Sequence, residues 1–272
     1  MNAETKKRYS LLLLTFAFAA ALVPAGCSLG PGRTVTLWVS GNTNGVLEPC
    51  ECEVGPLGGL AKRMTLLTRY RDPANSLTFD TGGLVDDLTD PGRYPAVVEA
   101  CRRMGYTAIL PGTPDSLLYR YAVDRGPFFT GPGPWVFETG GVTIRVLAFS
   151  PLWEDELVED SFSGGRAGEK ADLTLWITYL PEDTLRGWLN RYPHPDLILA
   201  GDSDITDPRP EMLESVPLYR CGVDGMDLLE IRVRRSRSGW RFAPTWHPVG
   251  VDVVEDPGIR DLLAASLAVA YE

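Results

Sequence analysis

From Thr34 to Ala200 the chain repeats one pattern: a short β-forming run, a glycine- or proline-bearing turn, then a helical stretch. That alternation restricts the fold more than any other feature, because strands joined through helices form sheets whose faces those helices cover. Residues 34–40 alternate and are rich in β-formers, which predicts the first strand. Residues 41–58 are studded with Gly and Pro and read as a loop. In residues 59–71, Leu60, Met64, Leu67 and Tyr70 fall at helical spacing with basic residues between them. Residues 76–80 predict a short buried strand, closed by the turn Thr81-Gly82-Gly83. A helix is expected over 91–104, opened by Asp90-Pro91 and stopped by Gly105. Strand 107–110, helix 115–124, a Gly/Pro-rich connection over 126–141 and strand 142–150 follow.

A polar section covers 154–170, then strand 173–180, helix 181–191 and strand 197–200. From Val216 the pattern turns to β, with runs at 217–221, 226–234 and 240–247, the last two joined by a hairpin turn over 236–239. Asp256-Pro257 opens a terminal helix whose apolar face is Ile259, Leu262, Leu263, Ser266 and Leu267. Strand–helix alternation followed by a β-meander predicts an α/β fold, a two-sheet sandwich flanked by helices. Ligand loops in such folds gather at the carboxyl ends of the strands.

The amino terminus speaks to compartment. Lys6, Lys7 and Arg8 precede an uncharged apolar run over 11–23, too short to span a bilayer as a helix, so residues 1–26 read as an export signal. Pro24-Ala-Gly-Cys27 resembles the lipobox of bacterial lipoproteins, although Pro24 stands where Leu is usual. The resemblance implies cleavage before Cys27, its lipidation and anchoring in a bilayer, with residues 27–33 as linker. Ser28 after the cysteine would favour the periplasmic face of the outer membrane in a two-membrane host. Losing 1–26 removes Lys6, Lys7, Arg8 and Glu4, so the formal charge moves from −10 to −12. A body this acidic is a poor partner for nucleic acid, whose binding rests on Lys and Arg against phosphate. A lipid on Cys27 would tether the body rather than embed it. The 246 residues that remain suffice for one large domain, 34–250, with the terminal helix in 251–272 packed on it.

Cys50, Cys52, Cys101 and Cys221 are left after Cys27. An even number in an exported chain suggests disulfides. A Cys50–Cys52 bond closes a very small ring, so pairing with Cys101 or Cys221 is geometrically easier. Free thiols, and metal or redox use of the Cys-x-Cys pair, stay open beside it.

The strand-end loops are Asn42-Thr-Asn44, Asp80-Thr-Gly-Gly83, Gly112-Thr-Pro-Asp115, Thr178-Tyr179 and Gly201-Asp-Ser-Asp204, with Leu57-Gly-Gly-Leu-Ala-Lys-Arg63 after the first. Their order resembles the calcineurin-like metallophosphoesterases, most closely the 5′-nucleotidase branch, over nearly all of 34–250. That resemblance implies a four-layer αββα fold. It also implies metal ligands in each loop, and here those positions carry other residues. Asn42 and Asn44 stand at Asp-x-His, and Gly83 stands at the bridging Asp. Thr113 and Pro114 stand at Asn-His, Tyr179 at a His, and Asp202 and Asp204 at His-x-His. A dinuclear site needs a bridging carboxylate and neutral imidazoles to activate water and clamp a phosphoryl group. The chain has only His194 and His247, each read as a surface or packing residue.

Three readings follow. The leading one is a non-catalytic metallophosphoesterase-like envelope lipoprotein that binds an envelope protein or small ligand, with no cofactor expected. The second is a phosphoester hydrolase with a rebuilt site, in which Asp80, Asp115, Asp202 and Asp204 gather oxygens for a divalent cation. The third is a metal or redox protein centred on Cys50 and Cys52. The helix start at Gly58-Gly59, with Lys62 and Arg63 behind it, is a further candidate for holding an anion.

Overall fold

The computed structural model describes residues 34–52, 55–153, 161–162, 171–201 and 205–269, for 51, 52, 268 and 269 the backbone only. All lie in one compact unit, Arg33–Glu272. The residues read as signal segment, lipidation site and linker, together with Asp202 and Asp204, fall outside the described residues. Five strands make the first sheet: β1 (Thr34–Ser40), β4 (Ser76–Asp80), β5 (Ala108–Ile109), β12 (Asp227–Ser236) and β13 (Gly239–Pro248), in the order β13-β12-β1-β4-β5. β1, β4 and β5 run parallel, as strand–helix alternation requires, whereas β12 lies antiparallel to β1 and β13 antiparallel to β12. The second sheet is built from β6 (Trp135–Thr139), β7 (Val142–Phe149), β8 (Leu173–Thr178), β9 (Leu197–Ala200), β10 (Glu211–Leu213) and β11 (Val216–Arg220). Its order is β10-β11-β9-β8-β7-β6.

The period of two along each strand sorts its residues between layers. Val35, Leu37 and Val39 of β1 face Ile144, Val146, Leu175, Ile177 and Leu199 in the core between the sheets. Trp38 points the other way, into a second core with α1 (Leu60–Tyr70), α2 (Tyr94–Met104) and α5 (Pro257–Val269). Trp176 does the same on the far side, joining Leu185 and Leu189 of α4 (Glu182–Leu189). Helix, sheet, sheet, helix is therefore the order of layers, as expected.

Some expected details change. β6 lies inside the Gly/Pro-rich connection, and β10 lies in a stretch to which no element is assigned from sequence; both are edge strands, where packing on a neighbour outweighs local propensity. A small hairpin of β2 (Cys50–Cys52) and β3 (Gly55–Leu57) occupies part of the expected loop. On α1 the buried face is Leu60, Ala61, Lys62, Arg63, Leu66 and Leu67, while Tyr70 is half exposed. On α5, Ile259 and Leu263 are buried but Leu267 is exposed beyond the reach of the core.

Candidate functional site

The carboxyl ends of β1, β4, β5 and β8 bring four of the expected loops together. Asn42 and Asn44 each take left-handed backbone, φ 48° and 50°, a conformation that asparagine tolerates better than most residues. That geometry lets both main-chain N–H groups donate sideways, Asn42 to the Gly82 carbonyl at 2.8 Å and Asn44 to the Gly83 carbonyl at 2.7 Å. The Asn42 carbonyl accepts from Gly225 N–H at 3.0 Å, and Asn44 Nδ2 donates to Asp224 Oδ1 at 3.3 Å. Asn42 Nδ2 points at the Cys221 carbonyl, 3.5 Å away.

Tyr179, directly after β8, is the centre of this arrangement. Its ring is 9 % exposed and belongs to the core between the sheets. Four glycines surround it closely. At three of them a Cβ would collide: 2.6 Å from Cδ2 at Gly82, 2.9 Å from Cε2 at Gly112 and 2.5 Å from Cδ2 at Gly201. At Gly83 the same atom would stand 3.3 Å from the Tyr179 hydroxyl and 3.3 Å from Asn44 Oδ1. The space between the loops is thus filled by an aromatic ring, and it exists because these positions lack side chains.

Below the ring lies a buried polar chain. Arg63 Nη1 donates to the Tyr106 hydroxyl (3.2 Å), that hydroxyl meets Ser40 Oγ (2.6 Å), and Ser40 Oγ donates to Asp80 Oδ2 (2.6 Å). Arg63 Nη2 donates to Thr43 Oγ1 at 2.9 Å, and the guanidinium stands 3.8 Å from Asp80. Arg63, Asp80 and Ser40 are all 0 % exposed. Burial pushes the Asp80 carboxyl above the ordinary range, opposed by Arg63, by Ser40 and by the Gly82 N–H. Burial also raises the Tyr106 hydroxyl to about 12, so it stays a neutral relay.

Asp115 sits in the neighbouring loop with three backbone N–H donors, from Gly83, Val85 and Gly112 at 2.8, 2.9 and 2.8 Å. Burial raises its carboxyl to about 7 despite those donors. Asp80 and Asp115, expected as oxygen donors to a cation, are therefore internal fasteners between loops. Among the described residues no three His, Cys, Asp or Glu side chains gather as metal ligands would. Of the other expected positions, Thr113 is exposed and Pro114 half-buried in the short turn that leads to α3 (Ser116–Ala122).

The helix start departs from its expected role. Gly58 N–H is bound to the Val249 carbonyl and Leu60 N–H to the Leu47 carbonyl, while Gly59 packs against Pro49. Lys62 Nζ is held by the Pro56 and Gly250 carbonyls, and Arg63 is committed as above. The groups expected to hold an anion are thus spent on the protein's own acceptors. The cysteine expectation is corrected too: Cys101 and Cys221 are free thiols, both buried and raised in pKa chiefly by that burial. Cys50 is in a disulfide, so neither of those two is its partner. The Cys52 side chain lies outside the described residues. His247 pairs with Glu230 at 2.9 Å and stacks on Tyr70, and His194 bonds the Leu189 carbonyl at 2.9 Å, both packing roles. Ser40 and Tyr106 were not anticipated; a hydroxyl ending β1 beside an aspartate ending β4 was the one hint of the buried chain.

No protein-family model and no curated protein matches the chain. Solved structures do. The sulfate thiohydrolase SoxB of Thermus thermophilus, in complex with glycerol, matches with TM-score 0.72 at 16 % identity, over 90 % of this chain and 62 % of that one. A 5′-nucleotidase precursor from Thermus thermophilus gives TM-score 0.70 at 16 % identity, over 88 % of this chain and 59 % of the other. The calcineurin-like phosphoesterase YfkN of Bacillus subtilis gives 0.60 at 12 %, over 88 % and 98 %. At these identities the likeness is one of fold, and the chain spans less than two thirds of the first two neighbours.

Proposed function

We propose that this chain is a non-catalytic, 5′-nucleotidase-like envelope lipoprotein that uses a phosphoesterase scaffold for binding or assembly. One observation carries the reading: the Tyr179 ring fills the space among Gly82, Gly83, Gly112 and Gly201. The described residues do not fit a dinuclear metal centre. Gly83 supplies no carboxylate, Asn42 and Asn44 are spent on neighbouring loops, and Asp80 and Asp115 already satisfy buried donors. The disulfide at Cys50 weighs against a thiolate metal site there, since the thiolate and not the disulfide binds metal. Anchoring by a lipid on Cys27, with an envelope protein or small ligand as partner and no nucleic acid, completes the proposal. The test is to purify the exported protein and offer it Mn²⁺, Zn²⁺ or Co²⁺ with a chromogenic phosphodiester and with AMP. No turnover is expected; metal-dependent turnover that disappears in Asp202→Ala would establish the rebuilt hydrolase instead.

A further inference from the structure

The β12–β13 hairpin carries Arg232, Arg234, Arg235, Arg237 and Arg241, and residues 231–251 contain no Asp or Glu. The whole chain has a formal charge of −10; setting these five arginines aside takes the rest to −15. The hairpin's charge therefore opposes that of the rest of the chain taken as a whole. Arg234 and Arg241 stand directly opposite each other across the two strands, an arrangement that like charges make unfavourable. Arg232 is paired with Glu230 at 2.7 Å, and Arg235 lies over the Trp240 ring at 5.1 Å. Arg234, Arg237 and Arg241 are exposed, and no described carboxylate pairs with them. At this end of the sheets Asp72, Asp172 and Asp196 are bound to backbone N–H groups, and Glu138 lines the same hollow as Asp172.

Position gives the patch a direction. Thr34, the first described residue, pairs with Arg234, so the chain enters the first sheet beside the arginines. Cys27 stands seven positions earlier, a reach of at most about 25 Å. Val39 pairs with Leu229, which puts the strand-end loops at the opposite end of β1, roughly 17 Å away along the strand.

We propose that this arginine hairpin docks on the anionic phospholipid headgroups of the bilayer that holds Cys27, turning the strand-end loops away from the membrane. The proposal rests on the lipid-anchor reading of Cys27. The acidic body as a whole is repelled from such a surface, and the hairpin supplies the opposite charge beside the strand through which the anchor's segment enters. Each arginine near an anionic surface is worth about fivefold in partitioning, and the attraction fades within a Debye length of about 8–10 Å. An anchor seven residues away lets the patch come within that range.

The mature acylated protein, carrying Ser238→Cys with an environment-sensitive dye, is reconstituted in phosphatidylcholine vesicles with or without phosphatidylglycerol. Cys101 and Cys221 are buried and should resist labelling. A headgroup-labelled nitroxide lipid serves as quencher. Strong quenching on the anionic vesicles is expected, lost in high salt and weakened about tenfold or more by R234E/R237E/R241E, with thermal unfolding confirming that this variant folds. An unquenched dye on anionic vesicles overturns the proposal and leaves an acidic macromolecule as the hairpin's counterpart. Equal quenching on neutral vesicles overturns it as well. Mass spectrometry of the amino terminus reads the anchor separately. If Cys27 carries no acyl chain, the exported protein is sedimented with the same vesicles: phosphatidylglycerol-dependent binding lost in the triple variant supports the hairpin, and no binding overturns it.

Discussion

Arg63 and Arg234 are the same residue type in opposite circumstances. Arg63 is fully enclosed and shares donors among Tyr106, Thr43 and the nearby Asp80, at the end where the loops converge. Arg234 is exposed, faces another arginine and has no described carboxylate, at the end where the chain enters the sheet. A buried charge fixes local geometry because leaving it unpaired is costly. An exposed one fixes little inside the fold and instead shapes the field that a partner meets. One end of the sandwich is organised inward and the other outward.

The sharpest way to break that contrast is to remove each charge in turn. Arg63→Met strands Asp80 in the core and should lower unfolding free energy by about 3–5 kcal/mol in urea titration. Arg234→Met should stay within about 0.5 kcal/mol of the parent. Equal losses at the two positions would erase the distinction.

The glycine cradle gives the next effect. Gly82→Ala forces a Cβ into the Tyr179 ring at a backbone φ of 103°, for an expected cost of about 2–4 kcal/mol. Combining it with Tyr179→Ala should cost clearly less than the two single changes added, because the second removes the atoms the first collides with. Strict additivity would mean that the ring and the glycine are not coupled.

A pH series then separates the ends by titration. The folded pKa of Asp115, about 7, lies above its ordinary value of 3.8. Its stabilising contribution is therefore complete below 3.8 and is lost as pH rises through 7. Between pH 4 and 7 this group should lower stability with a slope approaching about 1.4 kcal/mol per pH unit, and Asp115→Asn should flatten it. The Asp80 carboxyl, also raised by burial, adds in the same direction. The smallest change is expected at the hairpin, where Arg237→Glu should move the unfolding midpoint hardly at all while weakening salt-sensitive vesicle contact.

Local pattern carried most of the layering. Alternation in β1 and the apolar run of β8 are visible in sequence because each strand buries one or both faces against a core. β6 was hidden because its Gly/Pro-rich surroundings outweighed five residues whose partner lies across a turn. Helical spacing on α1 misjudged the buried face, since Lys62 and Arg63 are buried by acceptors supplied from residues 43, 56, 106 and 250. The loops that meet at the site were legible as strand-end segments. How Tyr179 fits among them was not, because its cradle comes from glycines on three other loops, far apart in sequence.

That cradle also bears on whether such a chain could accommodate a carboxylate at position 83. The backbone there has φ 69°, and any first side-chain atom would stand 3.3 Å from the Tyr179 hydroxyl, before the rest of an aspartate is built. Gly83→Asp alone meets strain and crowding, and removing the ring alone leaves a void. The path to one therefore runs through at least two simultaneous changes, each disfavoured by itself. The packing of one ring acts as a ratchet on sequence drift.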